Sequence, residues 1–235
     1  MTDTPELALP LLAPAQAQKH VTVNEALTRL DGLVQLRLQS VSVASPPVVI
    51  DGHAYGVPSG AIGDWAGQEG HVALASNGGW VFVPTKPGWH AVVLDAGAPA
   101  IFDGDAWSVG AVTLTPGGAS MVLRSVEVDI SITAGTSVTT PVIFPERSIA
   151  FGITGRVISE LTGTLTSWDV GVAGDLTRYG SGLGIAANSW VNGPGAPQVN
   201  WSPTALELTA QGGDFADGTI RLIGHFAELS LPASV

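Results

Sequence analysis

Residues 126–132 read VEVDISI, and this short stretch decides the fold class of the chain. Apolar and polar residues alternate strictly along it, from Val126 to Ile132. A period of two residues is typical of a β-strand with one face on a core and the other in water. The stretch therefore predicts a strand of an antiparallel sheet.

Four stretches further along the chain also predict strands, and no helical pattern separates them. The last of them follows Asp217-Gly218, a dipeptide that predicts a turn. Several strands without intervening helices predict two packed antiparallel sheets. We therefore expect a jelly-roll-like β-sandwich over residues 126–235. The four stretches are SIAFGITGRVI, TSWDVGVAG, TALELTAQ and TIRLIGHFAEL.

Residues 46–110 show three hairpin patterns, in which strand-like residues flank a turn dipeptide. The dipeptides are Asp51-Gly52, Asn77-Gly78 and Asp103-Gly104. They predict a small antiparallel β module. The stretch TLTPGGAS, rich in Pro and Gly, predicts a linker over residues 111–125.

Residues 1–45 contain the one helical pattern, which spans Gln16 to Gln39. Its apolar residues recur at helical spacing, so the fold class is mainly β with an N-terminal amphipathic helix. The apolar face has two ways to be buried, against its own domain or against copies of itself. The apolar residues are Val23, Ala26, Leu27, Leu30, Leu33 and Val34.

The charge balance excludes two classes of partner. With 9 basic and 20 acidic residues, the formal net charge is −11. A chain of this charge has no general attraction for nucleic acid or anionic membranes. The apolar run LALPLLAPA is too short to span a bilayer and lacks a basic leader, so we expect synthesis in the cytoplasm without export by the standard route.

Patterns for the common catalytic and cofactor sites are missing from the sequence. The five histidines have no metal-ligand spacing, the chain has no cysteine, and neither a phosphate loop nor a serine nucleophile elbow is matched. We therefore expect no metal, no cofactor and no enzymatic activity. Glycoside hydrolysis stays open as an alternative, because it needs only two suitably placed carboxylates. Four aspartates of the second β region are candidates, although acidic turn residues are the commoner interpretation: Asp169, Asp175, Asp214 and Asp217.

The seven tryptophans fall into two groups. Five lie beside hairpin turns or strand patterns and are predicted to pack in cores or between subunits: Trp65, Trp80, Trp89, Trp107 and Trp168. Trp190 and Trp201 instead lie in residues 178–202, which are predicted to form a long irregular loop. Rings beside amides are typical of sugar-binding surfaces, although these rings could equally pin the loop or fill a trimer interface. The carbohydrate-binding candidates are Arg178, Tyr179, Asn188, Trp190, Asn192, Gln198, Asn200 and Trp201.

Three stretches together carry a family resemblance that covers nearly the whole chain. They are the N-terminal QAQKHVTVNEAL followed by LD, the central PGW, FDG and W series, and the looser C-terminal stretch from FGITGRVI to GIAANSW. The chain resembles a phage-related family of formerly unknown function (DUF2793-type) that occurs in alphaproteobacterial prophages and gene transfer agents. Some of its members resemble head spike proteins that engage capsular polysaccharide.

This resemblance implies a non-enzymatic spike or fibre protein on the surface of a virion or gene transfer agent particle. Residues 1–45 would attach to a capsid or other spike protein and form a homotrimer, and residues 126–235 would be the receptor-binding domain. The implied partner is host capsular or cell-surface polysaccharide, bound during adsorption. Two alternatives remain: a capsule-degrading glycosidase or lyase, and a purely structural spike or adaptor.

Overall fold

The computed structural model describes residues 3–13 and 19–232, which divide into two compact units. Unit 1 comprises residues up to Val122 together with the C-terminal end from Leu231, and unit 2 comprises Leu123–Ser230. The described residues are mainly β with one α-helix, which confirms the predicted fold class. No helix within these ranges is long and apolar enough to cross a membrane.

In chain order, the elements are α1 (Lys19–Val34), β1 (Arg37–Leu38), β2 (Ala54–Gly56), β3 (His71–Ser76), β4 (Gly79–Pro84), β5 (His90–Val93), β6 (Ala98–Phe102), β7 (Trp107–Val109), β8 (Ala111–Leu114), β9 (Ser120–Ser131), β10 (Ser137–Phe144), β11 (Ile149–Gly163), β12 (Ser167–Val172), β13 (Asp175–Leu183), β14 (Trp190–Val199), β15 (Thr204–Gln211) and β16 (Phe215–Leu229). The connections between consecutive elements are short except for those on either side of β2.

Unit 1 contains a seven-stranded sheet in the order β4-β3-β2-β1-β5-β6-β7. The hairpins predicted at Asn77-Gly78 and Asp103-Gly104 are confirmed as β3–β4 and β6–β7. Residues 48–50 form no strand, so the first predicted hairpin is wrong although Asp51-Gly52 is a turn. The short strand β1 pairs in parallel with β2 and β5, a connection that no hairpin pattern predicts.

Helix α1 is confirmed, but it ends at Val34 rather than at Gln39. Leu36 and Leu38 are both buried, two residues apart in extended chain. Their spacing is that of a β-strand, so the apolar residues after Val34 do not continue the helix. Residues 16–18 lie outside the described residues. Gly32 allows close packing of the helix on β3, since a Cβ there would lie 2.6 Å from Leu74 Cδ2.

A buried carboxylate fastens the N-terminal segment to the helix. Asp31 is 3% exposed and accepts hydrogen bonds from Thr4 Oγ1 at 2.7 Å and from the backbone nitrogens of Leu7 at 2.6 Å and Glu6 at 3.0 Å. These three donors compensate for the removal of the charge from water. The side of α1 that carries Asp31 and Gly32 is therefore the side that packs within unit 1.

Unit 2 is a β-sandwich whose strand order is that of a jelly roll. One sheet has the order β10-β15-β12-β13, and the other has the order β14-β11-β16-β9. If β9 to β16 are renumbered 1 to 8, the first sheet has the strand order 2-7-4-5 and the second has the order 6-3-8-1. This is the arrangement of two Greek keys. The predicted jelly-roll-like sandwich is confirmed. Its core includes Phe144, Ile153, Trp168, Leu206 and Phe226.

The predicted linker at residues 111–125 contains regular structure. β8 and the start of β9 form a hairpin there, with Ala111 opposite Val122. The Pro- and Gly-rich residues form its turn, in which Gly118 N donates to Thr115 O at 2.9 Å. The finer division of the chain at residues 45, 110 and 125 stays a prediction.

The long irregular loop predicted at residues 178–202 is wrong. Most of this range belongs to β13 and β14, and only residues 184–189 connect them. Proline is tolerated in β14 because β14 is an edge strand. Gly193 is required for close approach, since a Cβ there would overlap the Tyr179 carbonyl oxygen.

The turn predicted at Asp217-Gly218 is also wrong, because both residues lie inside β16. Gly218 has φ of +135°, a value that favours glycine, and β16 shifts register against β11 near this point. The dipeptide therefore marks an irregularity within a long strand.

Candidate functional site

The predicted site residues lie in and beside edge strand β14, except for Arg178 and Tyr179, which lie in β13. Trp190 and Asn192 lie at its start, whereas Gln198 and Asn200 lie at and just beyond its end. Trp190 pairs with Arg156 and Gln198 with Ala150, six residues apart along β11, so the two ends of β14 are roughly 20 Å apart. The eight candidates therefore form two groups instead of one compact site.

The first group, here called the sheet patch, consists of Asn188, Trp190 and Asn192 with Arg156 and Thr154 of β11. Trp190 pairs with Arg156 and Asn192 with Thr154 across the two strands. The side chain of Trp190 is 67% exposed, and Asn192 is exposed as well. Arg156 Nη1 donates to the backbone oxygen of Asn188 at 3.2 Å, which holds the guanidinium beside the connection between β13 and β14.

A hydrogen-bonded chain continues from the sheet patch across the same sheet. Thr154 Oγ1 lies 2.9 Å from His225 Nε2, and His225 Nδ1 lies 2.9 Å from Ser125 Oγ. Both ring nitrogens are thus engaged, so His225 orders the hydroxyl of Thr154. Sequence reasoning missed Arg156 and Thr154, because only the strand register brings them beside Trp190 and Asn192.

The second group lines a groove of about 330 Å³ in unit 2. Four of the predicted residues meet there, Arg178, Tyr179, Gln198 and Asn200, and Glu207 of β15 joins them. This set combines one cation, one carboxylate and two amides, the groups that donate to and accept from sugar hydroxyls. The remaining lining residues are Thr139, Val172, Ala173, Ser202, Pro203, Thr204 and Ala205.

Within the groove, Tyr179 has a supporting role. Its side chain is 6% exposed, and its ring centroid lies 6.1 Å from that of Phe144 in the core. Arg178 Cζ lies 5.6 Å from the same ring centroid, a cation–π distance. Tyr179 therefore holds Arg178 in place and offers no open ring face for stacking on a sugar. Asn200 is also held, since its Nδ2 donates to Ser148 Oγ at 3.2 Å.

Trp201 is the most exposed tryptophan of the described residues, at 82%. It lies between Asn200 and Ser202, both of which line the groove. Neither Trp201 nor Trp190 is buried within the single chain, so the idea that these rings pin a loop is wrong. The other five tryptophans are buried or partly buried, as the sequence predicts.

The four aspartates considered for hydrolysis occupy separate positions. Asp169 is buried, and its two oxygens accept from Gly182 N at 2.8 Å and Gln211 Nε2 at 2.6 Å, which is a structural role. Asp217 accepts from its neighbour Gly218 N, and Asp175 and Asp214 are exposed at a strand end and in a connection. In the part of the chain that the structure describes, no three His, Asp or Glu side chains are grouped to hold a metal ion.

These features define a two-unit β-protein whose jelly-roll sandwich carries exposed tryptophans and amides along one edge strand. Residues 23–108 match the model of the family described as "Protein of unknown function (DUF2793)". The predicted resemblance to this family is confirmed over these residues, and the rest of the chain lies outside the match. The matched residues lie within unit 1.

Comparison with curated proteins and with solved structures adds no further evidence on the function. No curated protein matches the chain. A chain of the solved structure "Cyanophage Pam1 capsid asymmetric unit" aligns with 47% of this chain and 84% of its own length, at 25% identity and a TM-score of 0.29. A TM-score of this size does not show a shared fold.

Proposed function

We propose that this protein is a spike or fibre on the surface of a virion or gene transfer agent particle, where unit 2 binds capsular or other cell-surface polysaccharide during adsorption. The particle context comes from the sequence resemblance described above. The observation that carries the binding proposal is the exposure of Trp190 and Trp201, each beside amides, at the two ends of β14. Exposed rings pack on the C–H faces of sugars, and amides hydrogen-bond their hydroxyls.

The separation of the two groups favours a polymer as the ligand. A span of roughly 20 Å along β14 exceeds the size of a mono- or disaccharide, whereas one polysaccharide chain can contact both ends. Two weak contacts on one chain raise the overall affinity through effective concentration. Binding is proposed to proceed without cleavage of the polysaccharide.

The binding proposal is tested with the surface polysaccharide extracted from the bacterium whose genome encodes this chain. We expect the full-length protein to bind the immobilised polysaccharide, and we expect the length of the soluble polymer to stay unchanged on prolonged incubation, measured by gel filtration. Shortened chains would favour the capsule-degrading enzyme. Absence of binding would favour the structural spike or adaptor.

Self-association through α1 is a second part of the proposal. Val23, Leu30 and Val34 are exposed, and Leu27 is partly exposed between them. Their 4-3-4 spacing is that of a coiled-coil seam, and the opposite side of α1 is used for packing on β3. Because no described residue buries this seam, it can pack against other copies of the helix, as in a homotrimer, while the N-terminal part attaches to a capsid or other spike protein.

Leu30→Asp is expected to convert the homotrimer to a monomer, because it places a charge in the seam. Light scattering after gel filtration measures the mass. Thr22→Asp is the matched control, since it adds the same charge at an exposed helix position outside the seam. A monomeric wild type, or a trimer that survives Leu30→Asp, would contradict this part of the proposal.

A further inference from the structure

The arginines of unit 2 differ in whether they have a carboxylate partner. Residues 123–230 contain five arginines, no lysine and ten acidic residues. Arg124 pairs with Glu228 at 2.5 Å, and Arg221 makes a bidentate pair with Asp129 at 2.7 and 2.8 Å. The hydrogen bonds from Arg221 lower the pKa of Asp129, so this pair is fully ionised at neutral pH. Both pairs connect β9 and β16.

The other three arginines have no carboxylate partner among the described residues, although acidic residues outnumber them. Arg156 faces Trp190 across the β11–β14 pair. Arg147 donates its backbone nitrogen to the oxygen of Asn200, just beyond the end of β14. Arg178 lines the groove with Gln198. The cations without counterions therefore border the strand that carries the proposed binding residues.

Arg178 is the most confined of the three. Its side chain is partly buried, and its Nε atom is buried without a hydrogen-bond acceptor in the described part of the chain. Glu207 is the one carboxylate among the residues lining the groove, and no ion pair joins the two. A guanidinium that is partly removed from water without a counterion is costly, and a ligand carboxylate would offset that cost.

We propose that the bound polysaccharide carries carboxylate groups, as uronic acids do, and that Arg178 binds one of them in the groove. This inference rests on the proposed function, since it specifies the ligand of that same surface. The planar fork of guanidinium donors matches a carboxylate better than it matches a neutral hydroxyl. Glu207 accepts hydrogen bonds from sugar hydroxyls in the same groove. Because the whole chain has a net charge of −11, the attraction is local and does not come from the overall field.

The test compares two forms of the extracted surface polysaccharide, the native form and a form whose carboxyl groups are chemically reduced to alcohols. Wild-type protein is expected to bind the native form about tenfold more tightly, the size of one charged hydrogen-bonded contact. Arg178→Gln is expected to lose that preference and to bind both forms equally. Arg178→Lys keeps the charge without the fork, so an intermediate preference is expected.

Arg124→Gln is the matched control, because Arg124 is already paired with Glu228, and it is expected to bind as the wild type does. Equal binding of both forms by the wild type would overturn the inference and leave the proposed function standing. An undiminished preference in Arg178→Gln would overturn the role of Arg178. Binding of neither form by the wild type would instead contradict the proposed function. The comparison of the two polysaccharide forms uses only wild-type protein and so does not depend on the folding of any variant.

Discussion

Gly193→Ala is expected to destabilise unit 2 by about 3 kcal/mol or more, the upper end of the cost of overpacking. The reason is geometric, since a Cβ at this position would overlap the carbonyl oxygen of Tyr179. The obstacle is backbone and not a flexible side chain, so the strands β13 and β14 would have to separate. Loss of that contact would also disturb Arg178 and the groove beside it.

Urea unfolding measures this effect, with the fluorescence of the buried Trp168 as one reporter of unit 2. Gly195→Ala is a closely matched control in the same strand, because its Cβ would lie 3.6 Å from Tyr179 Cε1, an ordinary contact. We expect the control to stay within about 0.5 kcal/mol of the wild type. Equal stability of the two variants would show that β13 and β14 do not approach as described.

The double variant Trp190→Ala/Trp201→Ala is expected to bind the surface polysaccharide about a hundredfold more weakly than the wild type. Each ring is expected to contribute about 1.5 kcal/mol, or roughly a factor of ten. The two sites are far apart along β14, so their losses should add. Stability should hardly change, because both side chains are exposed.

Titration calorimetry of the single and double variants measures these losses. Leu229→Ala is the control, since it removes another exposed apolar side chain of unit 2, at the end of β16. An unchanged affinity in the double variant would place the polysaccharide elsewhere. A full loss in only one single variant would reduce the binding surface to one end of β14.

Much of the fold follows from local pattern. The alternation in VEVDISI corresponds to β9, whose Ile130 is buried in the sandwich core while Asp129 pairs with Arg221. The turn dipeptides Asn77-Gly78 and Asp103-Gly104 predict two hairpins correctly. Patterns of this kind depend only on residues close in sequence, and they can therefore be recognised without knowledge of the tertiary structure.

Local sequence pattern gives a wrong prediction where a residue is required by a contact with a residue far away in the sequence. The glycines and prolines of β14 resemble loop residues, yet Gly193 is required by the backbone of Tyr179, and the prolines are tolerated at a sheet edge. Gly32 lowers helix propensity, yet it allows α1 to approach Leu74. In both cases the reason lies in another strand.

The candidate site shows the same division between local and distant information. Tryptophans among amides indicated Trp190 and Trp201, and both are exposed. The burial of Tyr179 could not be predicted, because it depends on Phe144 from another strand. Arg156 belongs to the sheet patch only because strand pairing places it opposite Trp190. Glu207 belongs to the groove only because the fold brings β15 beside Arg178 and Gln198.

The central claim is that the β14 side of unit 2 binds a cell-surface polysaccharide. A crystal structure of the full-length protein with an oligosaccharide fragment of that polysaccharide tests it most directly. We expect sugar rings packed on the exposed indole of Trp190 or beside Trp201, with hydrogen bonds to the amides of the sheet patch or the groove. Sugar bound at a different surface, or a fragment that gives no density at saturating concentration, would contradict the claim.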